Sequence, residues 1–101
     1  MKKPKGKGNH KYTIHNYDDM TIYYRFGKMH RDEGPAYYDH AIKQKIWYQY
    51  GKIHRNDGPA IVYDRDEYYF YWHDTEMDFD TWIKWTTAPE EKKAELILKY
   101  G

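Results

Sequence analysis

The sequence predicts a mainly β fold with a C-terminal helix: an antiparallel β-meander of repeated hairpins with a 24-residue period, capped by one or two short α-helices. Three observations predict it. First, the segment Tyr23-Tyr24-Arg25-Phe26-Gly27-Lys28-Met29-His30-Arg31-Asp32-Glu33-Gly34-Pro35-Ala36 recurs as Trp47-Tyr48-Gln49-Tyr50-Gly51-Lys52-Ile53-His54-Arg55-Asn56-Asp57-Gly58-Pro59-Ala60, shifted by 24 positions. Gly-Lys, His-Arg and Gly-Pro-Ala are identical in both copies, and internal repetition of this kind marks stacked supersecondary units. Second, the apolar content is aromatic, with 13 Tyr, 4 Trp and 3 Phe against Leu96, Leu98 and Val62, and rings favour strands over helices. Third, the pattern changes after Trp72 to acidic-aromatic and then helix-forming residues.

Taken in order, residues 1–11 read as a basic flexible tail, 12–77 as the hairpin-repeat domain and 78–101 as a helical cap. A truncated copy precedes the first in His10 to Asp19. The first full copy places an aromatic strand near Thr21 to Phe26, a turn at Gly27 and a later strand at Ala36 to His40. The second places a strand at Lys45 to Tyr50, a tight turn at Gly51, a return strand at Lys52 to Arg55, and a strand at Ala60 to Asp64. Between the last two lies the loop Asn56-Asp57-Gly58-Pro59, where Gly58 is expected at positive φ and Pro59 lacks a ladder donor. Arg65-Asp66-Glu67 turns into a degenerate third copy, Tyr68 to His73. There the alignment adds 24 to Tyr48 and lands on Trp72, and Thr75 replaces the turn glycine. Asp78 to Trp85 forms a short helix with Asp78 as its cap. Thr87-Ala88-Pro89-Glu90 reads as a capping box leading into a helix over Glu91 to Tyr100, with Ala94, Leu96, Ile97 and Leu98 apolar. Trp82, Trp85 and those aliphatics are expected to close one end of the meander.

Composition excludes several function classes. There is no cysteine, so neither a disulfide scaffold nor thiolate chemistry is available, and a reducing intracellular setting is favoured. Serine is also absent, which removes serine-nucleophile hydrolases. Gly34-Pro35 and Gly58-Pro59 do not lead into helices as phosphate-cradling loops do. No Walker loop or His-Glu-x-x-His is present, and no enzyme activity, cofactor or metal is expected. The formal net charge is +1, which argues against non-specific coating of DNA. No apolar run reaches the roughly 20 residues of a membrane helix, so no membrane association is expected. The basic start is not followed by the apolar segment of a signal peptide.

Some residues admit two readings. His30 and His54, at one place in successive copies, are either a metal or acid–base pair or part of the loop architecture. With their neighbouring arginines they would then hold the Asp/Asn-Gly-Pro loops. Arg31 and Arg55 either grip an anion, or pair with Asp32 and Asp57 or stack on rings. Gly27, Gly34, Pro35, Gly51, Gly58 and Pro59 complete the structural motif. Lys2, Lys3, Lys5, Lys7 and Lys11 form either an electrostatic arm or a solubilising tail.

The string aromatic-x-x-Gly-Lys-x-His-Arg-x-x-Gly-Pro-Ala resembles a repeat of small proteins from tailed bacteriophages and large DNA viruses, grouped loosely with MORN-type hairpin repeats. The likeness spans residues 21 to 86, including Met77-Asp78-Phe79-Asp80. It implies β-hairpin architecture and a viral source and supplies no catalytic residues. The chain departs from a long array in having two complete copies and Thr75 at the third turn.

The expected function is therefore interaction: a small phage-type protein that binds a host protein in the bacterial cytoplasm and inhibits or redirects it, as in host takeover or anti-defence. Tyr, Trp and Arg supply binding hot spots, and the candidate contact residues are Tyr23, Tyr37, Trp47, Tyr48, Tyr63, Tyr69, Tyr71, Arg31 and Arg55. Strand alternation lets about half of the rings point one way. The alternative is a nucleic-acid or nucleotide binder using the lysine tail, the arginines and stacking tyrosines. Exposed strand edges are compatible with a monomer or a homodimer.

Overall fold

The computed structural model describes residues 12–64 and 66–101; the lysine tail and Arg65 lie outside the described residues. The chain is a mainly antiparallel β-meander capped by two C-terminal helices. Its strands are β1 (Thr13–Asn16), β2 (Met20–Arg25), β3 (Lys28–Met29), β4 (Tyr37–Asp39), β5 (Gln44–Ile46), β6 (Tyr48–Gln49), β7 (Lys52–Ile53), β8 (Ile61–Tyr63), β9 (Glu67–Trp72) and β10 (Thr75–Met77). The helices are α1 (Phe79–Trp85) and α2 (Glu90–Tyr100). The main sheet runs β1-β2-β4-β5-β8-β9-β10, with β3 paired to β2 and β6–β7 a separate hairpin. The body measures 48 × 27 × 22 Å, elongated as stacking of similar units dictates.

The predicted strand over Lys45 to Tyr50 is interrupted. Trp47 lies between β5 and β6, donating its N–H to Ala60 O in the β5–β8 register and accepting the His54 N–H from the β6–β7 hairpin, and Tyr50 belongs to the turn. Three equivalent hairpin turns follow from this register, at Phe26-Gly27, Tyr50-Gly51 and His73-Asp74. Both central residues of each have positive φ: 53° and 77°, 49° and 86°, 45° and 71°. Two left-handed central residues are what a two-residue primed turn demands, because its twist matches that of the flanking strands. The third turn position is therefore Asp74 and not Thr75, which begins β10. The period shortens by one: Tyr37 pairs with Ile46 and Ile61 with Tyr69, so Tyr69 follows its equivalent by 23 residues. The missing residue falls in the β8–β9 connection. Asp tolerates the left-handed region better than bulkier residues, and Asp74 Oδ1 also accepts the Ile53 N–H at 2.7 Å.

A tyrosine or histidine at positive φ is strained, and each of these two is held by the preceding copy. His30 Nδ1 accepts the Tyr50 N–H at 3.1 Å, and His54 Nδ1 accepts the His73 N–H at 3.2 Å. The rings touch as well, tilted by 38° at 4.1 Å for His30 on Tyr50 and stacked at 4.0 Å for His54 on His73. Because a backbone N–H can only donate, both imidazoles carry their proton on Nε2, and His30 gives it to Asp32 Oδ1 at 2.8 Å. The sequence reading placed each histidine on its own Gly-Pro loop. Its ring mainly clamps the turn one copy further on. Among the described residues no imidazole caps Phe26, which is 82% exposed. Phe26→Asn, which creates the favoured Asn-Gly pair, should therefore stabilise the chain by about 0.5–1 kcal/mol. Tyr50→Asn should destabilise it, because Asn would lose the ring contact with His30. Urea denaturation of the two variants checks the opposite signs.

The Gly-Pro loops are held by the arginines. Arg31 lies 4.0 Å over the Tyr23 ring, and Arg55 4.0 Å over the Trp47 ring. Arg31 Nη1 donates to Pro35 O, and Arg55 Nη1 to Pro59 O at 3.0 Å; Arg55 Nε donates to Asp57 Oδ1 at 2.7 Å. Gly58 was expected at positive φ, yet it lies outside that region. Glycine is needed there for space: a Cβ would stand 2.8 Å from the Arg55 guanidinium carbon, and one on Gly34 would stand 3.1 Å from that of Arg31.

At the C-terminal end helices replace this device. Phe70 is equivalent to Tyr23 and Trp47, but the shortened period puts Asp78 where the arginine would stand. The ring is covered instead by Trp82 at 4.8 Å, with Phe79 and Tyr100 both at 5.3 Å. Phe70, Trp82 and Leu96 form the buried core. Asp78 Oδ1 caps α1 by accepting the Thr81 N–H at 2.9 Å, which holds its carboxyl below the ordinary range. The capping box expected at Thr87 to Glu90 does not form, since Pro89 occupies the cap position without a side-chain bond. Thr86 Oγ1 donates instead to Asn56 O, and the Thr87 N–H donates to Asn56 Oδ1 at 2.9 Å, tying the helices to the second loop. Trp82 and Leu96 close the end as expected; Trp85, Ala94, Ile97 and Leu98 stay exposed, because a short amphipathic helix turns only one stripe to the core.

Candidate functional site: the tyrosine face

Strand alternation divides the rings between two faces. The register places Ile22, Tyr37, Ile46, Ile61 and Tyr69 in one line across β2, β4, β5, β8 and β9. At about 4.8 Å per strand this row spans roughly 19 Å. Two residues along each strand, the same face adds Tyr24, Tyr63 and Tyr71. Tyr48 joins it as the repeat equivalent of Tyr24 and Tyr71. The helices pack on the opposite face, through Tyr68, Phe70 and Trp72. Among the described residues, no helix contact falls on the tyrosine row.

Five of the seven candidate rings, Tyr37, Tyr48, Tyr63, Tyr69 and Tyr71, thus gather on one face that carries no helix, where each is half-buried and Ile22 is buried. Tyr23 and Trp47 lie on the other, beneath Arg31 and Arg55. These arginines do not join the tyrosines; they stand with Trp72 along a groove of about 990 Å³ between the two Gly-Pro loops. Sequence reasoning missed Tyr24, Ile22, Ile46 and Ile61, all of which shift onto or alternate with residues it did select. It also missed the charge of the face.

That charge is acidic. Asp39, Glu67 and Glu76 share the face by register, and no Lys or Arg of the described strands does. The Tyr69 hydroxyl donates to Glu67 Oε2 at 2.6 Å, and this bond raises its pKa, with further pushes from Glu67, Tyr63 and Glu76. Burial raises Tyr71, with Glu76 next. Burial also raises Tyr48, followed by Asp74 and Tyr37. The hydroxyls stay neutral at physiological pH in a negative field. Gln44 Nε2 donates to Tyr63 Oη at 2.8 Å, and the Tyr37 hydroxyl donates to Met20 Sδ at 3.1 Å, so these rings are held by neighbours on the same face.

Among the described residues no group of three or more His, Asp or Glu side chains is set to hold a metal ion. His30 and His54 each serve a separate clamp. No helix is long and apolar enough to cross a membrane. Comparison with protein-family models, curated proteins and solved structures returns no match.

Proposed function

We propose that this chain is an interaction protein whose tyrosine–isoleucine face binds another protein and inhibits or redirects it. The resemblance to phage repeat proteins makes a protein of the bacterial host, in its cytoplasm, the expected target. The observation that carries the reading is the gathering of Tyr24, Tyr37, Tyr48, Tyr63, Tyr69 and Tyr71 with Ile22, Ile46 and Ile61 on a face without a helical layer. Rigid rings on a sheet cost little conformational entropy on association, and tyrosine is over-represented among hot spots. Carboxylates on that face disfavour a phosphate backbone there. The nucleic-acid alternative rests on the lysine tail, outside the described residues, and on Arg31 and Arg55, whose guanidiniums are occupied by their own loops.

The test is capture from bacterial lysate by the full chain. A target should co-purify at fixed stoichiometry, and alanine at Tyr48 or Tyr71 should weaken the isolated complex by about 30-fold, the hot-spot scale. Alanine at Tyr38, on the opposite face, should leave it intact. The reading fails if nothing co-purifies, or if the Tyr48 and Tyr71 variants, shown folded by circular dichroism, hold the target as tightly as the parent.

A further inference from the structure

Near one end of the open face, Ile61, Tyr63, Glu67, Tyr69, Tyr71 and Glu76 surround a shallow pocket of about 340 Å³. The Tyr63 and Tyr69 rings meet at 90° with centroids 6.4 Å apart, giving two walls of different orientation. Glu67 and Glu76 are exposed, and neither has a cationic partner among the described residues. Glu67 is aimed by the Tyr69 hydroxyl, while Glu76 is held only through β10, where it pairs with Tyr71. Ring faces attract cations through their quadrupole, and a carboxylate on each side adds charge at short range. Elsewhere in this chain the same chemistry is already satisfied internally, by Arg31 on Tyr23 and Arg55 on Trp47. Here the rings and carboxylates stand together with no cation of the described residues among them.

We propose that this pocket receives a cationic side chain, arginine or lysine, from the protein partner. The inference deepens the open-face reading and rests on it: the partner surface is basic, and one of its guanidinium or ammonium groups sits against Tyr63, Tyr69 and Tyr71 between Glu67 and Glu76. Arginine would stack flat on a ring and reach a carboxylate with its fork. Lysine would offer a point charge.

The experiment is an amide-NMR titration of the full chain with three Gly/Ser octapeptides of one sequence, carrying two arginines, two lysines or two citrullines. The cationic peptides should shift signals from residues 61–63, 67–71 and 76 in a saturable way, and rising salt should weaken them. Citrulline, which keeps the shape and loses the charge, should bind about tenfold or more weakly, as should the arginine peptide to a Glu67→Gln, Glu76→Gln double variant. Arginine ahead of lysine assigns a guanidinium, and the reverse assigns an ammonium. Equal binding of citrulline, unchanged affinity in the folded double variant, or shifts scattered over all acidic surfaces would overturn the proposal. Failure here is separable from failure of the face. A captured target lost on Tyr48→Ala but kept by the double variant leaves the face and removes the pocket. Peptide binding without any captured target does the opposite.

Discussion

Replacing Trp82 by alanine is expected to lower the unfolding free energy by about 3–5 kcal/mol, the range for truncating a buried indole. A domain of this size holds only about 5–15 kcal/mol in all, so the transition midpoint should fall by roughly 15–30 °C. Trp82 is fully buried and packs on Phe70 and Phe79. Its Nε1–H also donates to Arg55 O at 3.2 Å, binding helix to loop. Removal therefore opens a cavity in the core and cuts one of the ties between the helical cap and the repeat. Trp85→Ala is the control: that ring is 53% exposed and its loss should cost under about 1 kcal/mol. Thermal unfolding by circular dichroism decides. Similar midpoints for both variants would mean that Trp82 does not hold the helical cap to the repeat.

The second large effect is acid sensitivity centred on one imidazole. Burial, and after it the neighbouring His73, lowers His54 from 6.5 to about 4. Its Nδ1 must stay unprotonated to accept the His73 N–H. Between those two values the unfolded chain binds a proton that the native chain refuses. Stability is therefore full above about pH 6.5, falls as pH drops toward 4, and loses nothing further from this group below 4. At 1.36 kcal/mol per unit the drop is about 3 kcal/mol. His54→Gln keeps an acceptor and removes the titration, so its denaturation free energy should change less over this window by about that amount. Parallel pH slopes for parent and variant would show that the clamp tolerates protonation.

Much of the fold was legible because the repeat carries its own punctuation. Gly27, Gly51, Gly34-Pro35 and Gly58-Pro59 mark chain reversals, and the rings between them mark strands. What eluded the sequence was anything set by a neighbouring copy. The clamp of His54 on His73 depends on a residue 19 positions away, and the same register hides that Asp74 is the third turn residue. Gly58 has the appearance of a turn glycine but is needed because a guanidinium lies against it.

The open face divides in the same way. Period-two alternation within a strand assigns each tyrosine to one side or the other, and that is a local property of the backbone. Which side receives the helices is not. The third copy carries Asp78 where Arg31 and Arg55 cover Tyr23 and Trp47, so Phe70 is left for Trp82 to bury, and the helices pack on that face. The amino-acid sequence alone determined the hairpins, their period and the wealth of rings, because these follow from short-range backbone preference and side-chain type. Only the tertiary structure decided which rings share the helical face and which share the face of Glu67 and Glu76, because that is settled by contacts between segments far apart in the chain.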